Sequence, residues 1–172
     1  SHGVTNRFYV LKDTKTGKDA NSPAAATVIN ESALFDATTT SYDKSGSGYY
    51  RTFATGEKAV NASITAQGRT YYGTNQPVVR SGQSCQANLG TARGYSLDPF
   101  TGTVRVTTYD GGGLPPSPIT GIVTIENGGT SSKKVFCMSC GGDDEGGGSS
   151  LETRDLLNPV PKNVRRTYWY KK

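Results

Sequence analysis

The three cysteines of this chain come closest to a motif with redox or metal-binding chemistry. Cys137 and Cys140 form a Cys-x-x-Cys motif, and Cys85 lies apart from them. Such a motif can be a redox pair, but here it follows a predicted strand and precedes a glycine run, so no helix is present to lower a thiolate pKa. A zinc site needs further ligands, and the only histidine is His2. A structural disulfide in an exported protein is the favoured interpretation.

The partner of each cysteine stays open at this point. Three cysteines allow three pairings, and proximity along the chain favours Cys137 with Cys140. In that case the thiol of Cys85 is left over, and it could pair with a cysteine from an upstream segment of a longer protein. We expect such a segment because residues 1–3 read as a possible tag scar.

The acidic residues do not form a recognisable catalytic or metal-binding set. Asp143, Asp144 and Glu145 could ligate a divalent cation, but a solvated loop is favoured, since three consecutive side chains reach one ion only around a bent backbone. A hydrolase triad would have to use His2. No pair among the 14 acids is marked out for glycoside hydrolysis. The sequence therefore predicts a protein that is not an enzyme.

The charge and hydropathy patterns point to a basic surface without a membrane span. The net charge is +5 and the isoelectric point about 9.1, but the Lys and Arg residues are spread along the sequence, with dense clusters at residues 165–166 and 171–172 near the end. No basic stripe accompanies a nucleic-acid-binding motif, so nucleic acid is not a predicted partner. The longest apolar run falls short of the roughly 18 residues that a spanning helix needs.

The elements that would position these residues are predicted to be antiparallel strands and hairpins of an all-β fold. The chain has 22 Gly, 8 Pro and 10 Tyr, a composition typical of many turns and short strands. Residues 21–37 could form a short helix with Ser22 as N-cap, but the β-branched residues 27–29 suit a strand about as well. Polar loops are predicted at residues 36–48 and, as a flexible Gly-rich loop, at residues 141–150. Strands are predicted at residues 7–12, 49–53, 58–62, 69–73, 93–98, 103–108, 119–126, 133–136 and 167–170.

A repeated turn suggests how these hairpins are organised. The dipeptide Thr-Gly closes polar turns at Thr16-Gly17, Thr55-Gly56 and Thr101-Gly102, which is typical of radial repetition. A four-stranded propeller blade uses about 40–45 residues, so 172 residues hold at most about three blades. The chain would then be an incomplete part of a longer propeller, or an open sheet packed on itself.

Four stretches together resemble one protein family. They are TGEKAVNASITAQGRTYYGTNQPV, SCQANLGTARGYSLDPFTG, GGGLPPSPITGIV and RRTYWY. In combination they resemble the C-terminal part of the PilY/PilC family, the type IV pilus biogenesis factors and tip-associated adhesins. The resemblance runs from about residue 6 onward and is weakest at residues 15–47 and in the Gly-rich tail. It implies that residues 1–172 are the last blades of a modified seven-bladed β-propeller.

The resemblance also implies a function and a set of partners. The expected role is non-enzymatic: pilus assembly, extension and retraction, twitching motility and attachment, through loops such as residues 36–48 and 141–150. The expected location is the periplasm, pilus tip or outer cell surface. The implied partners are minor pilins of the tip complex, a host-cell or surface receptor, and the remaining blades. The family's calcium loop has no counterpart here, so calcium is expected only upstream of this segment.

Two other functions remain open from the sequence. A quinoprotein dehydrogenase of the PQQ type also has propeller hairpins like SLDPFTG, but it would carry repeated Trp docking residues, whereas this chain has a single Trp. A purely structural scaffold would bind no ligand. The single Trp169 lies in a predicted terminal strand, where a core position is favoured over an adhesive contact.

Overall fold

The computed structural model describes residues 3–12, 28–78, 88–127, 129–141 and 153–155. These ranges contain a 3₁₀ helix at Glu31–Ala33 and eleven strands. The strands are β1 (Arg7–Leu11), β2 (Phe35–Asp36), β3 (Gly48–Thr52), β4 (Lys58–Ala59), β5 (Ile64–Ala66), β6 (Arg69–Gln76), β7 (Thr91–Leu97), β8 (Val104–Tyr109), β9 (Ile119–Asn127), β10 (Thr130–Met138) and β11 (Thr153–Asp155). The protein is therefore all-β, as its composition predicts.

The strands form three sheets that follow one another along the chain. The N-terminal sheet has the order β1-β3-β2, the central sheet contains β4 to β8, and the C-terminal sheet has the order β11-β10-β9. All pairings are antiparallel except the short parallel contact of β2 with β3. Within the described ranges the sheets form neither a closed barrel nor a closed propeller ring.

The central sheet has five strands, and four of them form a meander. β5, β6, β7 and β8 pair in chain order, and β4 extends the β5 edge by pairing with the far end of β6. The turn from β5 to β6 is Gln67-Gly68, with φ of 51° and 76°. Positive φ at both central residues is the type I′ geometry that matches strand twist, which Gly68 adopts without strain and which Gln67 adopts as a non-glycine residue. Local turn chemistry thus sets the register of this hairpin.

The turn from β7 to β8 is also locally specified. The Asp98 carboxylate accepts hydrogen bonds from the amide nitrogens of Phe100, at 2.8 Å, and Thr101, at 3.2 Å. Gly102 has a φ of 69° and donates its N–H to the Asp98 carbonyl at 2.9 Å. The predicted hairpin at residues 93–108 is confirmed, and its glycine occupies the left-handed position that the sequence requires.

One face of the central sheet packs against the N-terminal sheet. The rings of Phe8, Tyr72 and Tyr95 form a continuous stack, with centroid separations of 4.1 and 4.9 Å and interplanar angles of 7°. Tyr49 and Leu97 lie beside the stack and are fully buried. Because strand side chains alternate between faces, β1 contributes Phe8 and Val10 to this aromatic core, and β7 contributes Tyr95 and Leu97.

The opposite face packs against the C-terminal sheet. Tyr71, the neighbour of Tyr72 in β6, points to this side and packs with Cys137 and Cys140. A methyl group added to Gly94 in β7 would lie 2.8 Å from the Cα of Gly141. The central sheet therefore packs on the N-terminal sheet with one face and contacts the Cys137–Gly141 end of the C-terminal sheet with the other, whereas most of β9 and the first part of β10 are exposed.

Several elements differ from their predicted extents. The predicted strand at residues 58–62 ends at Ala59, whereas β6 and β10 are longer than predicted. A helix over residues 21–37 does not extend into its described part: residues 28–37 hold only the 3₁₀ turn and β2. β5 and β11 were not predicted. Residues 21–27 and 167–170 lie outside the described residues.

Candidate functional site

Two of the three cysteines form a disulfide. Cys137, at the end of β10, is joined to Cys140, and their Cα atoms are 5.8 Å apart, within the usual range for a disulfide. Both residues are buried, at 0% and 2% exposure. This is the pairing that proximity along the chain favours. A buried disulfide is consistent with an oxidising compartment outside the cytoplasm. Cys85 lies outside the described residues.

A buried carboxylate lies between the N-terminal and central sheets. Glu57 is 1% exposed. Its Oε1 accepts hydrogen bonds from the hydroxyl of Thr74 at 2.5 Å and from that of Tyr95 at 2.8 Å. Its Oε2 accepts the Ala54 N–H at 3.3 Å and lies 3.4 Å from Nη1 of Arg93. We call Glu57, Thr74, Arg93 and Tyr95 the Glu57 cluster.

The strands explain why the Glu57 cluster forms where it does. Thr74 and Arg93 are cross-strand partners in the β6–β7 ladder, and Tyr95 lies two residues farther along β7 on the same face. All three side chains therefore project toward Glu57, which precedes β4. Burial raises the pKa of Tyr95, and its hydrogen bond to Glu57 raises it further. The phenol is consequently a hydrogen-bond donor rather than a base at neutral pH.

A cavity of about 350 Å³ opens beside the Glu57 cluster. Arg51 lines it, but its guanidinium is committed to backbone carbonyls: it donates to Ala37, to Gly102 at 2.9 Å and to Thr38 at 2.9 Å. The carboxylate of Glu57 is similarly satisfied by four donors. The cavity is lined by Glu57, Arg93 and Tyr95, whose side chains bond to one another and so connect β7 to the segment before β4.

A second cavity, of about 360 Å³, is mostly apolar. Val10, Tyr42, Tyr49 and Pro99 form its floor. Its rim carries two exposed apolar residues, Leu11 at 59% and Phe100 at 68%, together with the exposed lysines Lys12 and Lys44. We call this cavity the Lys12–Lys44 groove. It lies where the end of β1, the loop before β3 and the β7–β8 turn meet.

The predicted contact loop at residues 36–48 forms one wall of that groove. It has no regular structure after β2, as predicted, yet it is anchored at two points: Ala37 is fully buried, and Tyr42 packs against Tyr49 with ring centroids 4.8 Å apart. Its tip is stabilised by Asp43, whose carboxylate accepts the Ser45 N–H at 2.8 Å. The hydrogen bonds from the hydroxyl and amide of Ser45 lower the pKa of Asp43.

The other sequence candidates have different outcomes. Of the predicted loop at residues 141–150, only Gly141 is described, and Asp143, Asp144, Glu145 and Trp169 lie outside the described residues. Asn61, which begins a glycosylation sequon, has a structural role. Its side chain donates to the Pro116 carbonyl at 2.9 Å and accepts the Gly73 N–H at 2.7 Å. The side-chain amide is thus tied up between β6 and the segment before β9.

The described part of the chain contains no group of three or more His, Cys, Asp or Glu side chains placed to hold a metal ion. It also contains no helix with the length and hydropathy to cross a lipid bilayer. Comparison with known proteins found no matching family model, no similar curated protein and no similar solved structure.

Sequence reasoning missed both the Glu57 cluster and the Lys12–Lys44 groove. The cluster draws on three separate stretches, so no local motif identifies it. One signal was available: Arg93 and Tyr95 lie at alternating positions of the predicted strand at residues 93–98 and so share a face, whereas Thr74 lies just beyond the predicted strand at residues 69–73. The groove had no such signal, because its lysines belong to two unrelated loops.

Proposed function

We propose that the chain is a non-enzymatic assembly and adhesion module of a type IV pilus. The observation that carries this proposal is the five-stranded central sheet, in which β5 to β8 form a four-strand meander that packs on the N-terminal sheet and contacts the end of the C-terminal sheet. A β-propeller repeats such a unit, because its blades are four-stranded antiparallel sheets arranged radially around a channel. The contacts of the central sheet with its two neighbouring sheets support an interpretation of the three sheets as closing blades of a propeller. This is the fold that the resemblance to the PilY/PilC family implies.

Exposed apolar side chains on the N-terminal and C-terminal sheets also support the proposal that this chain is part of a larger propeller. Tyr9 and Leu11, on one face of β1, are 44% and 59% exposed, and Ile119, Val123 and Ile125, on one face of β9, are 58%, 41% and 40% exposed. Neighbouring exposed apolar side chains mark surfaces that another protein element covers. In this proposal the remaining blades of the longer protein pack there.

The location and the partners follow from the same proposal. The Cys137–Cys140 disulfide supports export to an oxidising compartment, which we take to be the periplasm, the pilus tip or the outer cell surface. Minor pilins of the tip complex and a surface receptor would contact the loops at the ends of the sheets. The exposed tip at residues 43–46 is one such loop. We assign no cofactor to this segment, and calcium, if used, would bind upstream of it.

The test is genetic and uses the bacterium that encodes the chain. Deleting residues 1–172 from the full-length protein should abolish surface pili and twitching motility, whereas the exposed-site variant Lys58→Ala should behave as wild type. Normal twitching in the deletion strain would refute the pilus assignment. Removing only residues 43–46 should preserve pili and reduce attachment. Unchanged attachment would remove this loop from the adhesive surface.

The quinoprotein dehydrogenase alternative is separated by a spectroscopic measurement. A fragment of such an enzyme should retain pyrroloquinoline quinone after incubation and gel filtration, with the visible absorbance of the bound quinone. An adhesion module should elute without it. Retention of the quinone at one equivalent would favour the enzyme over the pilus module.

A further inference from the structure

The outer part of the β9–β10 hairpin is a two-stranded ribbon. β11 pairs only with residues 136–138 of β10, and the side chains of residues 122–126 and 131–134 are exposed on both faces of the hairpin. A two-stranded hairpin is at most marginally stable in water without further strands or packing. A strand added to this ribbon would therefore stabilise it.

β9 offers a free edge to such a strand. It ends the sheet order β11-β10-β9, and within the described residues no backbone hydrogen bond reaches its outer side. The register closes with Asn127 opposite Thr130 around a two-residue loop, so these residues exchange both hydrogen bonds and the odd-numbered residues of β9 bond to β10. The even-numbered residues Thr120, Ile122 and Thr124 therefore direct their N–H and C=O groups to the free edge.

The edge of β9 lacks the features that normally keep exposed strands apart. β9 is nine residues long, pairs with β10 residue for residue without a bulge, and contains no proline. Its one charged residue is Glu126, next to its end. Soluble proteins usually protect such an edge with lysine, proline, a bulge or a short strand. β10, by contrast, carries Lys133 and Lys134 in its outer half. β9 is therefore the strand of this hairpin that is suited to pairing.

The sequence of β9 selects a second copy of itself as the partner. Residues 119–125 read ITGIVTI, which is the same in both directions except that Gly121 and Val123 change places. Two antiparallel copies centred on Ile122 therefore place isoleucine opposite isoleucine and threonine opposite threonine, and cross-strand Thr–Thr pairs stabilise sheets. Gly121, which the Phe136 ring covers, lies opposite the larger Val123 of the second copy.

The backbone and the charges agree with this register. Because Ile122 directs its N–H and C=O to the free edge, the two copies of this residue can exchange both hydrogen bonds across the symmetry axis. Glu126 then lies opposite Pro118 of the second copy, so no like charges face each other. A parallel pair in register would instead place the two Glu126 carboxylates side by side. A symmetric contact of this kind closes after two copies.

We propose that the chain forms a twofold-symmetric dimer through antiparallel pairing of β9 with β9 of a second copy, centred on Ile122. The two hairpins then form one continuous sheet with the strand order β10-β9-β9-β10, and Ile119, Val123 and Ile125 of both copies share one face of it. The dimer uses the edge of β9 and leaves the faces of the sheet open to other elements. It therefore does not depend on the pilus assignment.

Sedimentation equilibrium of the 172-residue chain tests the dimer, with Cys85→Ala in every sample to prevent disulfides between copies. A contact through one strand edge is small, so we expect a monomer–dimer equilibrium with a Kd on the order of 10–100 µM. Ile122 is 68% exposed, so charged substitutions there are compatible with the fold. Ile122→Lys and Ile122→Glu each place like charges at the axis and should weaken dimerisation at least about tenfold.

Two controls accompany these variants. An equimolar mixture of Ile122→Lys and Ile122→Glu should dimerise with about the wild-type affinity, because a lysine then faces a glutamate across the axis. Ser131→Lys adds the same charge at an exposed position of β10, away from the free edge, and should change the affinity less than about twofold.

A second pair of variants tests the antiparallel register, in which residue 120 faces residue 124 of the second copy. Thr120→Lys/Thr124→Glu places opposite charges across the contact and should dimerise at least as tightly as wild type. Thr120→Lys/Thr124→Lys places like charges there and should dimerise about tenfold or more weakly. In a parallel pair each position would face itself, so both variants would lose the dimer. Far-UV circular dichroism and thermal unfolding verify that each variant is folded.

Several results would overturn the proposal. A wild-type chain that stays monomeric at the highest soluble concentration does not pair through β9. Undiminished dimerisation of both Ile122 variants would place the contact elsewhere on the molecule, and a mixture of the two that stays monomeric would contradict their meeting at the axis. Loss of the dimer in both threonine variants would refute the antiparallel register. Oligomers that keep growing with concentration would contradict a contact that closes after two copies.

Discussion

Tyr72 and Tyr95 stack with their ring centroids 4.9 Å apart, but only one of the two hydroxyl groups has a described hydrogen-bond partner. The Tyr95 hydroxyl donates to Glu57 at 2.8 Å, whereas the Tyr72 hydroxyl is buried without a hydrogen bond in the described structure. The same ring chemistry on neighbouring strands therefore contributes differently to stability.

Removing the Tyr72 hydroxyl and removing the Tyr95 hydroxyl should have opposite effects on the stability of the fold. Tyr72→Phe should stabilise the fold by about 1 kcal/mol, since a buried unsatisfied polar group is removed and the stack with Phe8 is kept. Tyr95→Phe should destabilise it by about 1–3 kcal/mol, because a hydrogen bond to a charged group is lost. Urea unfolding followed by circular dichroism measures both. Equal effects of the two substitutions would contradict this assignment.

Neutralising the buried carboxylate of Glu57 should destabilise the fold. Glu57→Gln removes the charge that faces Arg93 and leaves donors of the Glu57 cluster unpaired, so we expect a loss of about 2–4 kcal/mol. Glu31→Gln is the matched control: Glu31 pairs with Arg7 at 3.0 Å, but its side chain is 47% exposed. That substitution should cost less than about 1 kcal/mol. The midpoint of urea unfolding distinguishes the two outcomes.

Alkaline pH should unfold the protein through its buried tyrosines. Burial raises the pKa of Tyr49 to about 12 and also raises that of Tyr72. A tyrosine of the unfolded chain ionises near pH 10, so the folded state retains these protons longer. The resulting stability is complete below about pH 10 and is lost as pH rises through about 12. Tyr49→Phe should reduce this loss, measured as the difference in unfolding free energy between pH 8 and pH 11. An identical difference in wild type and variant would contradict the assignment.

The close approach of the central and C-terminal sheets should make Gly94 sensitive to substitution. A Cβ at this position would lie 2.1 Å from the hydroxyl oxygen of Tyr109 and 2.8 Å from the Cα of Gly141. Gly94→Ala should destabilise the protein by about 3 kcal/mol, because one of these neighbours is backbone. Gly111→Ala, with open space around it but a φ of 83°, should cost about 1 kcal/mol. If both substitutions cost the same, the two sheets are not in close contact.

The cysteines should differ in reactivity. Under denaturing but non-reducing conditions, a maleimide should label one thiol, that of Cys85, and three thiols after reduction. Replacing Cys137 and Cys140 by alanine should cost at least about 2 kcal/mol, the chain-entropy effect of closing so short a loop. Mass spectrometry counts the labels. Three labels before reduction would show that the disulfide does not form in the isolated chain.

Much of the local structure could be predicted from particular residues. Asp98 and Gly102 define the β7–β8 turn, and strands rich in Tyr, Val, Ile and Thr bracket each turn, so most strands were predicted within a few residues. β11 escaped prediction because three residues next to a glycine-rich run carry no periodicity of their own. β4 ended early because the Asn61 side chain contacts the backbone of β6 in place of a strand pairing.

The sequence by itself determined the all-β class, the hairpin turns and the proximity of Cys137 to Cys140, because each depends on residues that are neighbours in the chain. Only the tertiary structure decided which face of each strand meets which sheet. That choice buried Glu57 among donors from β6 and β7, and it left Lys12 and Lys44 around an apolar groove. Such contacts join residues far apart in sequence, so their energies are set by packing between sheets and not by any local pattern.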